Sequence, residues 1–111
     1  MIVTQAGSAP EPSIEVRDNP EQGRYDLLLD GVVAGFAEYR DREERRIFIH
    51  TVVDPAYGGR GLGSRLARAV LDDALARDMR IVPRCPFIRA WLERHPDYAE
   101  RIGPLGAHEG G

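Results

Sequence analysis

The sequence predicts an α+β fold: a small antiparallel meander, then a βαβ unit, then a C-terminal helix. Three observations carry this. Apolar and polar residues alternate through much of residues 14–53, which is the period of a strand. Over residues 62–78 the apolar positions recur every third and fourth residue, the period of a helix. A glycine- and proline-rich turn at 54–61 separates the two regimes. A chain of 111 residues has the length of one domain, since domains typically run to roughly 100–150 residues.

The elements follow in order. Residues 1–12 are small, polar and proline-containing and are expected to be a flexible tail, as are residues 103–111. The folded domain is expected over 13–102. A first short strand at 14–18 is stopped by Asn19-Pro20. The next, 24–30, sets Tyr25, Leu27 and Leu29 on one face. Asp30-Gly31 between two strand-like runs signals a two-residue type I′ hairpin. The return strand 32–40 puts Val33, Ala37 and Tyr39 on one face and Phe36 on the other, with Gly35 a candidate bulge. A charged turn at 41–45 leads into 46–53, which is β-branched and nearly continuously apolar. That pattern predicts a central strand buried on both faces.

In the helix, Leu62, Leu66, Val70 and Ala74 form the buried stripe, with Leu71 and Leu75 beside them. Arg65, Arg68, Asp72, Asp73 and Arg77 take the outer face, and Asp73 with Arg77 is a favourably oriented i, i+4 pair. A short strand follows at 79–84, in which Pro83 cannot donate to a ladder. Strand, helix, strand in that order requires parallel pairing of 46–53 with 79–84. Pro86 suits the first turn of a second helix over 87–95, which Pro96 ends.

Composition excludes several functions. The chain is 42% apolar and 30% charged, the balance of a globular domain. No apolar run approaches the roughly 18–20 residues of a membrane-spanning helix, and the first residues lack the basic start and apolar stretch of a signal peptide. One cysteine makes no internal disulfide, so a cytoplasmic location is expected. All 15 basic residues are arginine. Without lysine there is no Schiff base and no phosphate-loop lysine. The net charge of −3 argues against a nucleic-acid partner. Arg42, Arg45 and Arg46 are interleaved with Asp41, Glu43 and Glu44, which reads as a solvated turn. No His or Cys spacing fits a metal site, so none is expected.

The chemistry concentrates at residues 53–66, VDPAYGGRGLGSRL, with Gly58, Gly59, Gly61 and Gly63 between a strand and a helix. Such a turn aims successive backbone N–H groups into one concavity, and the helix N-terminus adds positive charge. That is an anion site, to which Arg60 and Ser64 add donors. The dinucleotide fingerprint does not fit, because its third glycine would fall at Leu66. A plain tight connection is the competing reading. Cys85, the single thiol, ends the strand at 79–84 and precedes a helix, where the dipole favours thiolate. The parallel pairing brings it side by side with His50, a geometry open to a Cys–His nucleophilic pair. A buried, inert cysteine and a core histidine are the alternatives, and both stay open. An imidazole at His50 could also accept a proton near neutral pH. Glu38 is a base candidate but is expected at the surface, Trp91, Phe87 and Ile88 are expected in the core rather than stacked on a ligand, His95 as a helix-end partner rather than a catalytic group, and His108 in the tail.

The motif V-x-P-x-Y-x-G-x-G-x-G-x-x-L resembles the pyrophosphate loop of GNAT-type N-acetyltransferases, with Gly61 and Gly63 in its two small positions. The leading Gln or Arg of that loop is replaced by Gly58, which removes one side-chain contact, and Arg60 stands nearby to compensate. A narrower likeness over 24–98 is to the short, single-domain GNAT-like proteins of the YjdJ type. It rests on Gly31, Ala34 and Tyr39, on His50, Thr51, Val53 and Pro55, on Pro83, Cys85, Pro86 and Phe87, and on His95, Pro96 and Tyr98. The resemblance implies an acetyl-CoA-dependent N-acetyltransferase acting on a primary amine, with the fold reduced to its cofactor-binding half. Strands 46–53 and 79–84 would splay, and the pantetheine arm would lie along Thr51, Val52 and Val53. Gly58, Gly59, Arg60, Gly61, Leu62, Gly63 and Ser64 would hold the pyrophosphate. Cys85 would lie near the CoA sulfur, and Tyr98 or Tyr57 would protonate the departing thiolate. A monomer or weak homodimer is expected. A CoA-binding module without turnover is the alternative, and a nucleotide-phosphate binder a third reading.

Overall fold

The computed structural model describes residues 13–102, so the expected tails at 1–12 and 103–111, and His108, lie outside the described residues. Five strands form one mixed sheet in chain order: β1 (Ile14–Asn19), β2 (Arg24–Leu29), β3 (Val32–Arg42), β4 (Arg45–Val53) and β5 (Arg80–Pro83). The first four pair antiparallel, and β5 pairs parallel to β4 across helix α1 (Leu62–Ala76). Helices α2 (Pro86–Glu93) and α3 (Pro96–Ile102) close the domain.

Both β2–β3 and β3–β4 turns have two residues. Asp30 (φ 52°) and Gly31 (φ 81°) take the left-handed pair of a type I′ turn, as the sequence predicts. Glu43 (φ 54°) and Glu44 (φ 68°) adopt the same geometry without a glycine, so the charged turn expected at 41–45 shrinks to two residues and both strands lengthen. The ladder on either side imposes that conformation against the residues' own preference.

Two bulges correct the expected faces. Leu27 pairs with Gly35 and Leu28 with Val33, so Ala34 is the extra residue. The bulge changes the parity of β3. Ala34 therefore enters the core beside Ala37 and Tyr39, while Val33 is 46% exposed. Gly35 lies so close to β4 that a Cβ there would stand 2.5 Å from the Val52 carbonyl oxygen. In β4, Glu38 pairs with His50 and Tyr39 with Phe48, leaving Ile49 unpaired in the ladder and exposed.

The expectation of a β4 buried on both faces is also corrected. Phe48 and Arg46 are buried, but Ile49 and His50 are exposed. The physical reason lies in the connections. β1 to β4 are joined by tight turns that carry no helix, so among the described residues the helices pack on one face only. On that face Leu62, Leu66, Val70, Leu71 and Ala74 of α1 cover Tyr25, Leu27, Ala37, Phe48 and Ile81, and Ile88, Trp91 and Leu92 of α2 complete the core.

Arg46 is the exception in this core. It points inward because it alternates with Phe48, and it is 5% exposed. Its guanidinium makes two 2.8 Å bonds to Asp41, donates to the Tyr25 hydroxyl at 2.6 Å, and lies 4.0 Å over the Tyr39 ring. Tyr25 in turn donates to Asp73 of α1, and Tyr39 to Asp18 of β1. The side-chain polar atoms buried here are all hydrogen-bonded, as a buried charge requires.

The second helix ends two residues sooner than expected, and Pro96 opens α3 rather than only closing α2. Proline lacks the N–H of an interior position, but its fixed φ suits a first turn. Tyr98, expected after the last helix, is inside α3.

Candidate functional site

The site is built where the sheet opens. The parallel ladder runs from the Arg45–Arg80 pair to the Phe48–Pro83 pair and stops. The Phe48 carbonyl then accepts from both Arg84 N (3.0 Å) and Cys85 N (2.8 Å), which ties off the last rung. β4 continues five residues further, Ile49 to Val53, with no strand paired to its β5 side among the described residues. Two features of the sequence cause the split. Pro83 has no N–H for another rung, and Pro86 starts a helix immediately afterwards. The result is about 16 Å of free strand edge at roughly 3.3 Å per residue.

That edge leads into the glycine turn. Asp54 caps a single 3-10 turn, Pro55–Tyr57, by accepting from Ala56 N at 2.9 Å. Gly59 (φ 78°) and Gly61 (φ 70°) take left-handed conformations, and the space a Cβ would occupy at either is empty to 4 Å. Gly61 is the N-cap of α1. It offers no side-chain cap, and the first turn contains no acidic residue. The positive end of a fifteen-residue helix is thus uncompensated by the protein's own side chains. Arg60, folded with its guanidinium 5.7 Å over the Tyr57 ring, and Arg65 stand beside it. These residues suit an anionic group such as a pyrophosphate. Leu62 is buried and anchors the first turn in the core, and Ser64 Oγ accepts from Trp91 Nε1 at 2.8 Å, which leaves its own proton to donate.

Cys85 is the N-cap of α2, 1% exposed, with Sγ 3.3 Å from Thr51 Oγ1. The sequence places Cys85 and His50 side by side, and the structure corrects this. Thr51 faces the helices and Cys85, so His50, its neighbour in an alternating strand, faces the open side of the sheet. There it meets the Phe36 ring edge-on at 6.3 Å. Glu38, the cross-strand partner of His50, is half-buried and paired with Arg40 at 3.1 Å. Tyr98 is buried. Its hydroxyl donates to Asp72 (2.7 Å) and accepts from Arg68 (3.3 Å). Asp72 lies eight residues beyond Ser64, about 12 Å down α1 at 1.5 Å per residue, so that hydroxyl is engaged far from the glycine turn. Tyr57 is half-buried against the core. His95 stacks on Trp91 at 3.7 Å and bonds the Trp91 carbonyl, the helix-end role expected of it.

Sequence reasoning missed three contacts: Thr51 with Cys85, Trp91 with Ser64, and Phe87 with Gly63. The only signal for them was the presence of small or hydroxylated residues at 51, 63 and 64. A groove of about 550 Å³ between β1 and α1, lined by Ile14, Val16, Arg65 and Ala69, follows the helix flank away from the open edge.

The family model for the GCN5-related N-acetyltransferases matches residues 24–101. The chain belongs to that family. Its match starts at β2 and runs through the glycine turn to α3, so this N-acetyltransferase-family domain contains the whole β4–α1–β5 unit. Among curated relatives, protein NATD1 of Bos taurus is 39% identical over 57 residues, half of each chain. The Homo sapiens protein is 37% identical over 57 residues, also half of each. The chain thus spans about half the length of these relatives in the matched region. With NATD1 of Xenopus tropicalis the match is longer, 27% over 100 residues, covering 86% of this chain and 91% of that one. In structure the fold is similar to a GCN5-like protein from Staphylococcus aureus, with a TM-score of 0.63 and 23% identity over 85% of this chain and 92% of the other. The GNAT-like α+β fold read from the sequence is therefore the fold observed. No helix among the described residues is long and apolar enough to cross a membrane.

Proposed function

We propose that this GCN5-related domain transfers the acetyl group of acetyl-CoA to a primary amine. The observation that carries the reading is the open β4 edge: an unpaired strand that leads from Thr51 into an uncapped helix N-terminus. The backbone of Thr51, Val52 and Val53 offers free strand groups to an extended amide-containing arm. The turn from Gly58 through Gly59, Arg60, Gly61, Leu62 and Gly63 to Ser64 holds the pyrophosphate through backbone N–H groups and the α1 dipole. The thioester supplies an activated acetyl group.

The acetyl end reaches the mouth of the opening at Thr51 and Cys85. The amine approaches from the open face, where His50 takes a proton from the incoming ammonium. The amine nitrogen bonds to the acetyl carbon, the C–S bond breaks, and the CoA thiolate leaves near the N-terminus of α2, whose dipole favours it. Cys85 lines the thioester rather than attacking it, because its thiol is bonded to Thr51 and faces away from His50. Tyr98 is assigned packing rather than proton transfer, since its hydroxyl is held by Asp72.

The experiment is an amine panel incubated with acetyl-CoA and the chain, read as free thiol and acetylated product. Stoichiometric appearance of both supports the reading. CoA binding without turnover on any amine would leave a CoA-binding module instead.

A further inference from the structure

We propose that Phe87 is the outer wall of the cofactor channel, a positioning residue for the pantetheine arm. The inference rests on the CoA-binding reading above. It starts from Gly63, which needs no left-handed conformation, unlike Gly59 and Gly61. What a side chain at Gly63 would have to displace is a neighbour. A Cβ there would lie 2.8 Å from Phe87 Cζ and 3.4 Å from Cε1. The ring of Phe87 therefore lies directly on the first turn of α1.

Phe87 is also a large apolar side chain with 37% of its surface left in water. Its neighbours in α2, Ile88, Trp91 and Leu92, are buried. Two residues before it, Cys85 touches Thr51. One turn after it, Trp91 bonds Ser64. The ring thus stands between the two ends of the path an extended ligand must follow, from the glycine turn to the Thr51–Cys85 contact. One side of the ring packs on Gly63, and the exposed part is available to the apolar stem of the arm. Gly63 in this view is small to admit Phe87, whereas Gly59 and Gly61 shape the anion cradle.

The test compares CoA with adenosine 3′,5′-bisphosphate, which lacks the pantetheine arm. Dissociation constants are measured for the wild-type chain and for Phe87→Ala and Phe87→Leu. Phe87→Ala is expected to weaken CoA about tenfold, the scale of one apolar contact of this size. The bisphosphate should change less than twofold, and Phe87→Leu should keep CoA within about threefold. Equal weakening of both ligands, or none, would overturn the assignment. Wild-type protein that binds neither ligand overturns the CoA reading itself. A stability cycle gives an independent check. Alanine in α1 gains helix propensity while its Cβ meets the Phe87 ring, so Gly63→Ala should raise the melting temperature more, or lower it less, in the Phe87→Ala background than in the wild-type chain. The same change in both backgrounds would show that the ring does not set the glycine requirement.

Discussion

At the scale of single residues, the glycine turn separates into two kinds of glycine. Gly61 is left-handed at φ 70°. A valine there adds about 1–2 kcal/mol of backbone strain and places a β-branched side chain in the open cradle. Gly61→Val is therefore expected to lose detectable CoA binding while remaining folded, measured by titration and circular dichroism. Normal binding would put the cradle elsewhere. Cys85 decides between two chemistries. Its thiol has Thr51, not His50, as its partner. Cys85→Ala is expected to reduce turnover about tenfold through altered packing. His50→Ala should cost more, within the roughly 10²–10⁴ of a lost general base. Intact-mass measurement after acetyl-CoA alone should show no adduct at Cys85. A stoichiometric adduct that an added amine discharges would establish an acetyl-cysteine route instead. The sequence named these residues but could not orient them. His50 and Cys85 are 35 positions apart, and which face each occupies depends on the bulge at Ile49. A bulge driven by tertiary pairing leaves no reliable local mark.

At the scale of elements, the sheet is joined to α1 and to its own edge by one polar network. Tyr25 links β2 to Asp73 of α1, Tyr39 links β3 to Asp18 of β1, and Arg46 of β4 bonds Tyr25 and stacks on Tyr39. Burial, reinforced by the bond to Asp18, pushes the Tyr39 hydroxyl up from 10.0 to about 12. Burial and Asp73 push Tyr25 up further. A phenol whose folded value is raised favours folding while it is protonated. That contribution is full below the unfolded value near 10 and is lost as pH climbs toward 12. The melting temperature is expected to be flat from pH 8 to 9.5 and to fall steeply between 10 and 12. Tyr39→Phe should show a shallower fall, in a pH series followed by circular dichroism and by phenolate absorbance. A parallel fall in both proteins would assign the alkaline loss to other groups. Arg46 is buried, but Asp41 is partly exposed, and Asp18 and Asp73 stay within 4.0 Å of the guanidinium. Asp41→Ala is therefore expected to cost about 1–2 kcal/mol, read by urea denaturation.

At the scale of the whole molecule, the three helices among the described residues lie on one sheet face, and the β4–β5 ladder opens beyond Phe48 and Pro83. A ligand in the opening bridges the two halves of the sheet and stabilises the folded state by mass action. On the proposed reading, CoA at 100-fold excess over its dissociation constant is expected to add about 2.7 kcal/mol. In a domain of this size that raises the melting temperature by about 10 °C or more. No shift with millimolar CoA would end the acetyl-CoA reading, and an equal shift with ADP would favour a nucleotide ligand.

The sequence by itself determined the order and type of nearly every element. Strand and helix differ in hydrophobic period, and the period is local: Tyr25, Leu27 and Leu29 alternate, whereas Leu62, Leu66 and Val70 step by four. The opening between β4 and β5 was expected only from the resemblance; that Pro83 and Pro86 mark its start is visible once the ladder is seen to stop at Phe48–Pro83. Tertiary structure decided the rest. Val33 yielded its core position to Ala34, Glu43-Glu44 became a left-handed turn, and the Tyr98 hydroxyl was paired with Asp72. Each of these is settled by pairing or packing with another element. The pairing of a neighbouring strand fixes parity and turn length, and a buried hydroxyl goes to whatever acceptor the packed helices bring to it.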